Sequence, residues 1–88
     1  MNKAIGMVEF KTVSSGMRAA DRMVKTAEVE LLQADTVCPG KFLALISGDL
    51  SAVNAAVEAA ANADKEQLID TFVLGNPHDS IFSALYGA

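Results

Sequence analysis

The residues of this 88-residue chain that could do chemistry are few: one cysteine, Cys38, one histidine, His78, and the carboxylates Glu9, Asp35, Asp49 and Asp70 scattered among apolar runs. Cys38 stands in Asp35-Thr36-Val37-Cys38-Pro39-Gly40-Lys41. Pro39 lacks a backbone N–H and disfavours helix in the residue before it, while Gly40 tolerates positive φ, so the thiol is expected on a displayed turn. A thiolate there could ligate an iron-sulfur cluster or zinc, both of which usually need about four ligands. One chain offers one thiol, so a metal at Cys38 would be shared between chains. Lys41 is the evident nearby cation that favours a thiolate. A catalytic pair of Cys38 with His78 has no third group to orient the base. Asp49 reads as a helix cap rather than a general base, and no phosphate loop or nucleophile elbow occurs. No enzymatic activity is expected.

Composition narrows the classes further. Net charge is −4, and the seven basic residues are spread along the chain instead of forming a stripe, which argues against a nucleic-acid partner. Hydrophobic residues make up 51% of the chain, yet no run approaches the roughly 20 apolar residues of a membrane span. The start, Met1-Asn2-Lys3-Ala4, reads as neither a secretory signal nor a transit peptide, and a cytoplasmic setting is expected. A lone cysteine agrees with a reducing compartment. Residues 1–88 are expected to form one small domain, which association would help to stabilise.

The elements that must position Cys38 and His78 follow from pattern. Ala4–Phe10 is a short apolar run predicted as a buried strand, with Gly6 inside it marking a close approach by a neighbour. Thr12, Ser14 and Ser15 are candidate caps for a helix whose Met17, Ala20, Val24 and Ala27 recur at three- and four-residue spacing. Val29 to Val37 reads as a strand apolar on both faces, and Phe42–Ile46, between Gly40 and Gly48, as a buried one. The two should form a hairpin with Cys38 at its tip. Gly48-Asp49 then opens an alanine-rich helix with a stripe of Leu50, Val53, Ala56, Val57 and Ala60. Leu68–Leu74 is a fourth strand, ended by Gly75-Asn76-Pro77. Asp79 or Ser80 could cap a short last helix containing Ile81, Phe82, Leu85 and Tyr86. The order βαββαβ with a terminal helix is an α/β (α+β) class, the ferredoxin-like split βαβ arrangement.

Several patches in this order resemble the shell domain of bacterial microcompartments: Ala4-Ile5-Gly6-Met7-Val8-Glu9, Ala19-Ala20-Asp21-Arg22-Met23-Val24-Lys25-Thr26-Ala27, the Gly40 turn, Ser47-Gly48-Asp49, Ala52-Val53-Asn54-Ala55-Ala56-Val57 and Pro77-His78. The resemblance runs from about Ala4 to His78. It implies a ferredoxin-like variant, the BMC-domain fold, that assembles into flat hexamers, or trimers when two domains are fused, and tiles a protein shell. It places the pore loop on Thr36, Val37, Cys38, Pro39 and Gly40, and an edge between oligomers at Lys25, Asn76, Pro77 and His78. Asn76 stands where many members carry an arginine.

Cys38-Pro39-Gly40-Lys41-Phe42 departs from the glycine- and serine-rich pore loops of ordinary members. With Asn76 and His78 it is similar to the first domain of the tandem shell proteins of propanediol utilisation, and to cysteine-containing shell proteins of glycyl-radical compartments. That resemblance implies a [4Fe-4S] cluster shared at a symmetry axis, able to carry electrons across the shell. The expected partners are further copies of the chain, most simply a hexamer, other shell proteins and encapsulated redox enzymes, with no nucleic acid and no membrane. The expected location is the microcompartment shell within the cytoplasm. Two alternatives stay open: a metal-free tile in which Pro39 narrows a metabolite pore, and a small regulatory ferredoxin-like oligomer that binds a ligand between subunits.

Overall fold

Alternation along the first strand decides how the layers stack. In the computed structural model, which describes residues 3–37 and 40–81, β1 spans Ala4–Phe10 and its even-numbered residues Ala4, Gly6, Val8 and Phe10 are all buried. The register carries this row across the neighbouring strand β3, Lys41–Gly48, by pairing Phe10 with Phe42, Val8 with Ala44 and Gly6 with Ile46. β2, Glu30–Val37, pairs with the other side of β3, and β4, Leu68–Leu74, with the other side of β1. The order is β2-β3-β1-β4, with every neighbouring pair antiparallel. β3 lies between β1 and β2, and β1 between β3 and β4, so two split βαβ units interleave. The fold class and the element order agree with the sequence pattern.

Both crossover helices cover the same sheet face. Helix α1, Val13–Thr26, contacts β1, β2 and β3; helix α2, Leu50–Ala63, contacts β1, β3 and β4; and the two helices touch each other. Phe10, Met23, Ile46, Val8 and Val53 are fully buried between the layers. Thr12 is the N-cap of α1, and its Oγ1 accepts from Ser15 N at 3.2 Å. Asp49 occupies the N-cap of α2 without a side-chain cap bond, although its carbonyl accepts from Val53 N at 2.9 Å.

Two glycines set the layer spacing. A Cβ on Gly6 would come within 2.7 Å of both Val53 Cγ1 and Val57 Cγ2, so α2 rests directly on β1 as the strand glycine suggested. Gly16 does the same for α1, where a Cβ would collide with the Cβ and ring of Phe42.

Several expected burials are corrected. The underside of α1 is Ser15, Gly16, Ala19, Ala20 and Met23, while Met17 is 59% and Val24 41% exposed. The helix seats its smallest residues against Phe42, which rotates the larger Met17 and Val24 outward. In α2 the stripe Val53, Ala56, Val57 and Ala60 is buried as expected, but Leu50, in the first turn, is 49% exposed. β2 is not buried on both faces: it is an edge strand in which only Leu32 and Val37 are half-buried. Residues 79–81 begin a helical turn, and the expected contributions of Phe82, Leu85 and Tyr86 lie outside the described residues.

Candidate functional site

The hairpin of β2 and β3 is closed at its tip by three residues. Val37 pairs with Lys41 and Thr36 with Phe42, leaving 38–40 as the loop. Gly40 has φ +80, and nothing lies within 4 Å of where its Cβ would be. Glycine is needed there for its left-handed backbone rather than for space, the usual way a three-residue hairpin turns back. Thr36 and Lys41 are exposed, and Thr36 N donates to Asp35 Oδ1 at 2.9 Å. Cys38 and Pro39 lie outside the described residues, so the thiol's own geometry does not enter.

Lys41 is the cation next to the loop, and Lys11, the residue after Phe10, leaves β1 at the same end of the sheet. Among the described residues no three His, Cys, Asp or Glu side chains cluster with metal-binding geometry. The sequence has one cysteine, so a cluster held by thiolates at this loop would draw on Cys38 from several copies.

The residues expected at an oligomer edge lie elsewhere. Lys25 is in the last turn of α1, where a cation complements the helix dipole, and its Nζ is 2.8 Å from Asp21 Oδ2, one turn earlier. The chain leaving α1 brings the Glu28 carbonyl to within 3.0 Å of a Cβ on Gly48, at the far end of β3. Asn76, Pro77 and His78 follow β4, whose Leu74 pairs with Ile5 near the start of β1. All four thus sit toward the end of the sheet opposite the Cys38 hairpin. With seven residues in β1, the two ends are about 20 Å apart along the strands.

Asn76 has φ 53, Pro77 is buried and His78 is exposed. His78 Nδ1 accepts from Ser80 N at 3.1 Å and lies 2.9 Å from Ser80 Oγ. Accepting from an N–H requires an unprotonated Nδ1, which puts the proton of neutral imidazole on Nε2. His78 is thus the capping group of the turn that Asp79 or Ser80 was expected to cap. A histidine occupied this way, at the opposite end of the sheet, is no partner for Cys38.

The family model for the BMC domain covers residues 4–77. The chain is 41% identical over 87 residues to the bacterial microcompartment shell protein PduT of Citrobacter freundii, covering 99% of this chain and 47% of that protein. It is 36% identical over 88 residues to the carboxysome shell protein CsoS1 of Prochlorococcus marinus, covering 97% of this chain and 85% of that protein. A microcompartment protein from Desulfitobacterium hafniense has the same fold, with TM-score 0.92, 41% identity and coverage of 98% of this chain and 48% of its own. The chain spans about half the length of the Citrobacter and Desulfitobacterium proteins and most of the carboxysome one. It belongs to the BMC domain family, the shell-protein domain of bacterial microcompartments.

Sequence reasoning missed two features. The buried stripe of α1 was displaced from its true position because Ser15, Gly16 and Ala19 carry little apolar signal, although Met23 within it is large and fully buried. A basic groove between α1 and α2 was also missed, since it exists only once both helices lie on one face.

Proposed function

We propose that this chain is a structural tile of a bacterial microcompartment shell within the cytoplasm and not an enzyme. Copies of it close into a cyclic homo-oligomer, a hexamer, with the loops Thr36, Val37, Cys38, Pro39 and Gly40 gathered around the axis. The observation that carries this reading is the separation within the family fold of a cysteine-bearing hairpin at one end of the sheet from Lys25, Asn76, Pro77 and His78 at the other. One end then faces the axis and the other the neighbouring oligomer. Both sheet edges, β2 and β4, are open in the single chain, and Leu31, Ile69, Phe72 and Leu74 are each about two-fifths exposed, surface that an oligomer would cover. Other shell proteins and encapsulated redox enzymes are the partners this role requires.

At the axis, Cys38 thiolates from neighbouring chains would hold a [4Fe-4S] cluster. When bound, it supplies one-electron transfer across the shell. The chain's own contribution is a tight turn that keeps the thiols at the hairpin tip, with Lys41 and Lys11 at that end of the sheet to favour their ionised form. A hexamer would offer six equivalent Cys38 thiols, more than the about four ligands that a cluster would need. The test is anaerobic purification of the chain and of Cys38→Ser, measuring iron, acid-labile sulfide and native mass. Iron and sulfide in near-equal amounts, below one cluster per chain and lost in Cys38→Ser while the oligomer survives, support the redox centre. A colourless protein after reconstitution, with the same oligomer, makes the chain a metal-free tile with a narrowed pore.

A further inference from the structure

The helix-covered face carries a concavity of which the shell role uses only Lys25, at one end. A groove of ≈ 470 Å³ runs between α1 and α2, floored by Ala19, Ala60 and Ala63, and Arg18, Arg22 and Lys25 line it from successive turns of α1. That volume falls within the range of small-molecule sites, and the alanine floor leaves the space open. Like charges three and four residues apart on a helix are unfavourable, so this run of cations weakens α1 unless something outside the helix neutralises it.

The groove's own carboxylates do so incompletely. Asp21 is committed to Lys25 at 2.8 Å. Asp64 Oδ2 accepts from Ser15 Oγ at 2.8 Å and lies 3.8 Å from Arg18 Nη2, beyond hydrogen-bond distance. Arg22 has no carboxylate within 4.0 Å among the described residues. The helix dipoles contribute little, because Ser15 in the first turn of α1 meets Asp64 at the C-cap of α2, positive end against negative. Two guanidinium forks one turn apart are thus left with unspent donors over a shallow groove, in a protein whose net charge is −4.

We propose that the α1–α2 groove is a binding site for a small oxyanion, a phosphate- or carboxylate-bearing metabolite, held by Arg18 and Arg22. Arginine suits this ligand because its planar fork donates two parallel hydrogen bonds to a phosphate or carboxylate. Lys25, spent on Asp21, sets the local potential without anchoring the ligand. The site lies within one chain and does not depend on the shell reading, so it stands or fails separately from the cluster and the ring.

Calorimetric titration of the intact oligomer with inorganic phosphate, and separately with succinate, at constant ionic strength held by chloride, tests the site. The expected result is saturable binding of one anion per chain, weakened about tenfold in Arg22→Gln, as loss of a hydrogen bond to a charged group predicts. Lys3→Gln, exposed and outside the groove, should bind as the parent does. Saturation by phosphate alone assigns the phosphate class, and by succinate alone the carboxylate class. Absence of saturable binding by either anion, or equal binding by Arg22→Gln, overturns the proposal. Arg22 is solvent-exposed, so the variant should fold, and an unchanged melting temperature confirms that any loss is local.

Discussion

Replacing Gly16 by alanine puts the helix–sheet contact under the sharpest strain. In the native fold Gly16 is buried, and an added Cβ would overlap the Cβ and ring of Phe42, itself 6% exposed. Alanine gains roughly 1 kcal/mol of intrinsic helix propensity over glycine, which favours the variant. Overpacking opposes it, typically by about 1–3 kcal/mol. The obstacle includes Phe42 Cβ, one bond from the backbone of a central strand, so turning the ring cannot clear the way. α1 must lift from β3, and the upper part of that range applies. The net loss is about 1–2 kcal/mol, and at roughly 4–8 °C per kcal/mol for a domain of this size the melting temperature should fall by about 4–16 °C. Thermal unfolding by circular dichroism, at one fixed protomer concentration because association adds to stability, reads the change. Gly75→Ala is the control: its Cβ would meet Leu50 at an ordinary 3.5 Å, and the expected change is within about 0.5 kcal/mol. A Gly16→Ala protein that melts at or above the parent would show that propensity outweighs contact, and would refute the close seating of α1.

Other substitutions probe separate parts of the account. Thr12→Ala removes the side-chain acceptor for Ser15 N and should cost about 1 kcal/mol in chemical unfolding, with Thr12→Ser restoring most of it. Gly40→Ala fits the open space around the turn but not its φ of +80, so a loss of about 1–2 kcal/mol is expected, less for Gly40→Asn. Lys25→Ala disrupts an exposed ion pair and should leave the unfolding midpoint nearly unchanged, while electron microscopy shows rings that no longer join into sheets. Sheets persisting in that variant would remove Lys25 from the oligomer edge.

The strands were legible because their apolar runs are bounded by glycines and polar turns, and because Gly6 and Gly40 each sit where the fold requires them. The stripe on α2 was legible for the same reason: Val53, Ala56, Val57 and Ala60 are apolar, regularly spaced and truly inward. α1 misled in part: Ala20 is inward as expected, but Ser15, Gly16 and Ala19 beside it carry little hydrophobic signal, and Met17 and Val24 supply a pattern that points to solvent while the fully buried Met23 was passed over. β2 misled because its apolar content suggests two covered faces, whereas at the sheet edge it packs under α1 alone and only Leu32 and Val37 are half-buried. The separation of the Cys38 hairpin from the His78 turn was expected from the family resemblance, and the order and register of the strands account for it. The His78–Ser80 cap and the arginine groove did not, since each needs atoms placed together by the fold.

The shell-tile reading rests on self-association more than on any other property, and native mass spectrometry of the purified chain, followed by electron microscopy after concentration, measures it most directly. The account predicts one dominant ring of identical copies, a hexamer, which joins into sheets, tubes or closed particles as concentration rises. A chain that stays monomeric, or that remains a discrete small oligomer at every concentration, would contradict it and would favour a ligand-binding regulatory domain.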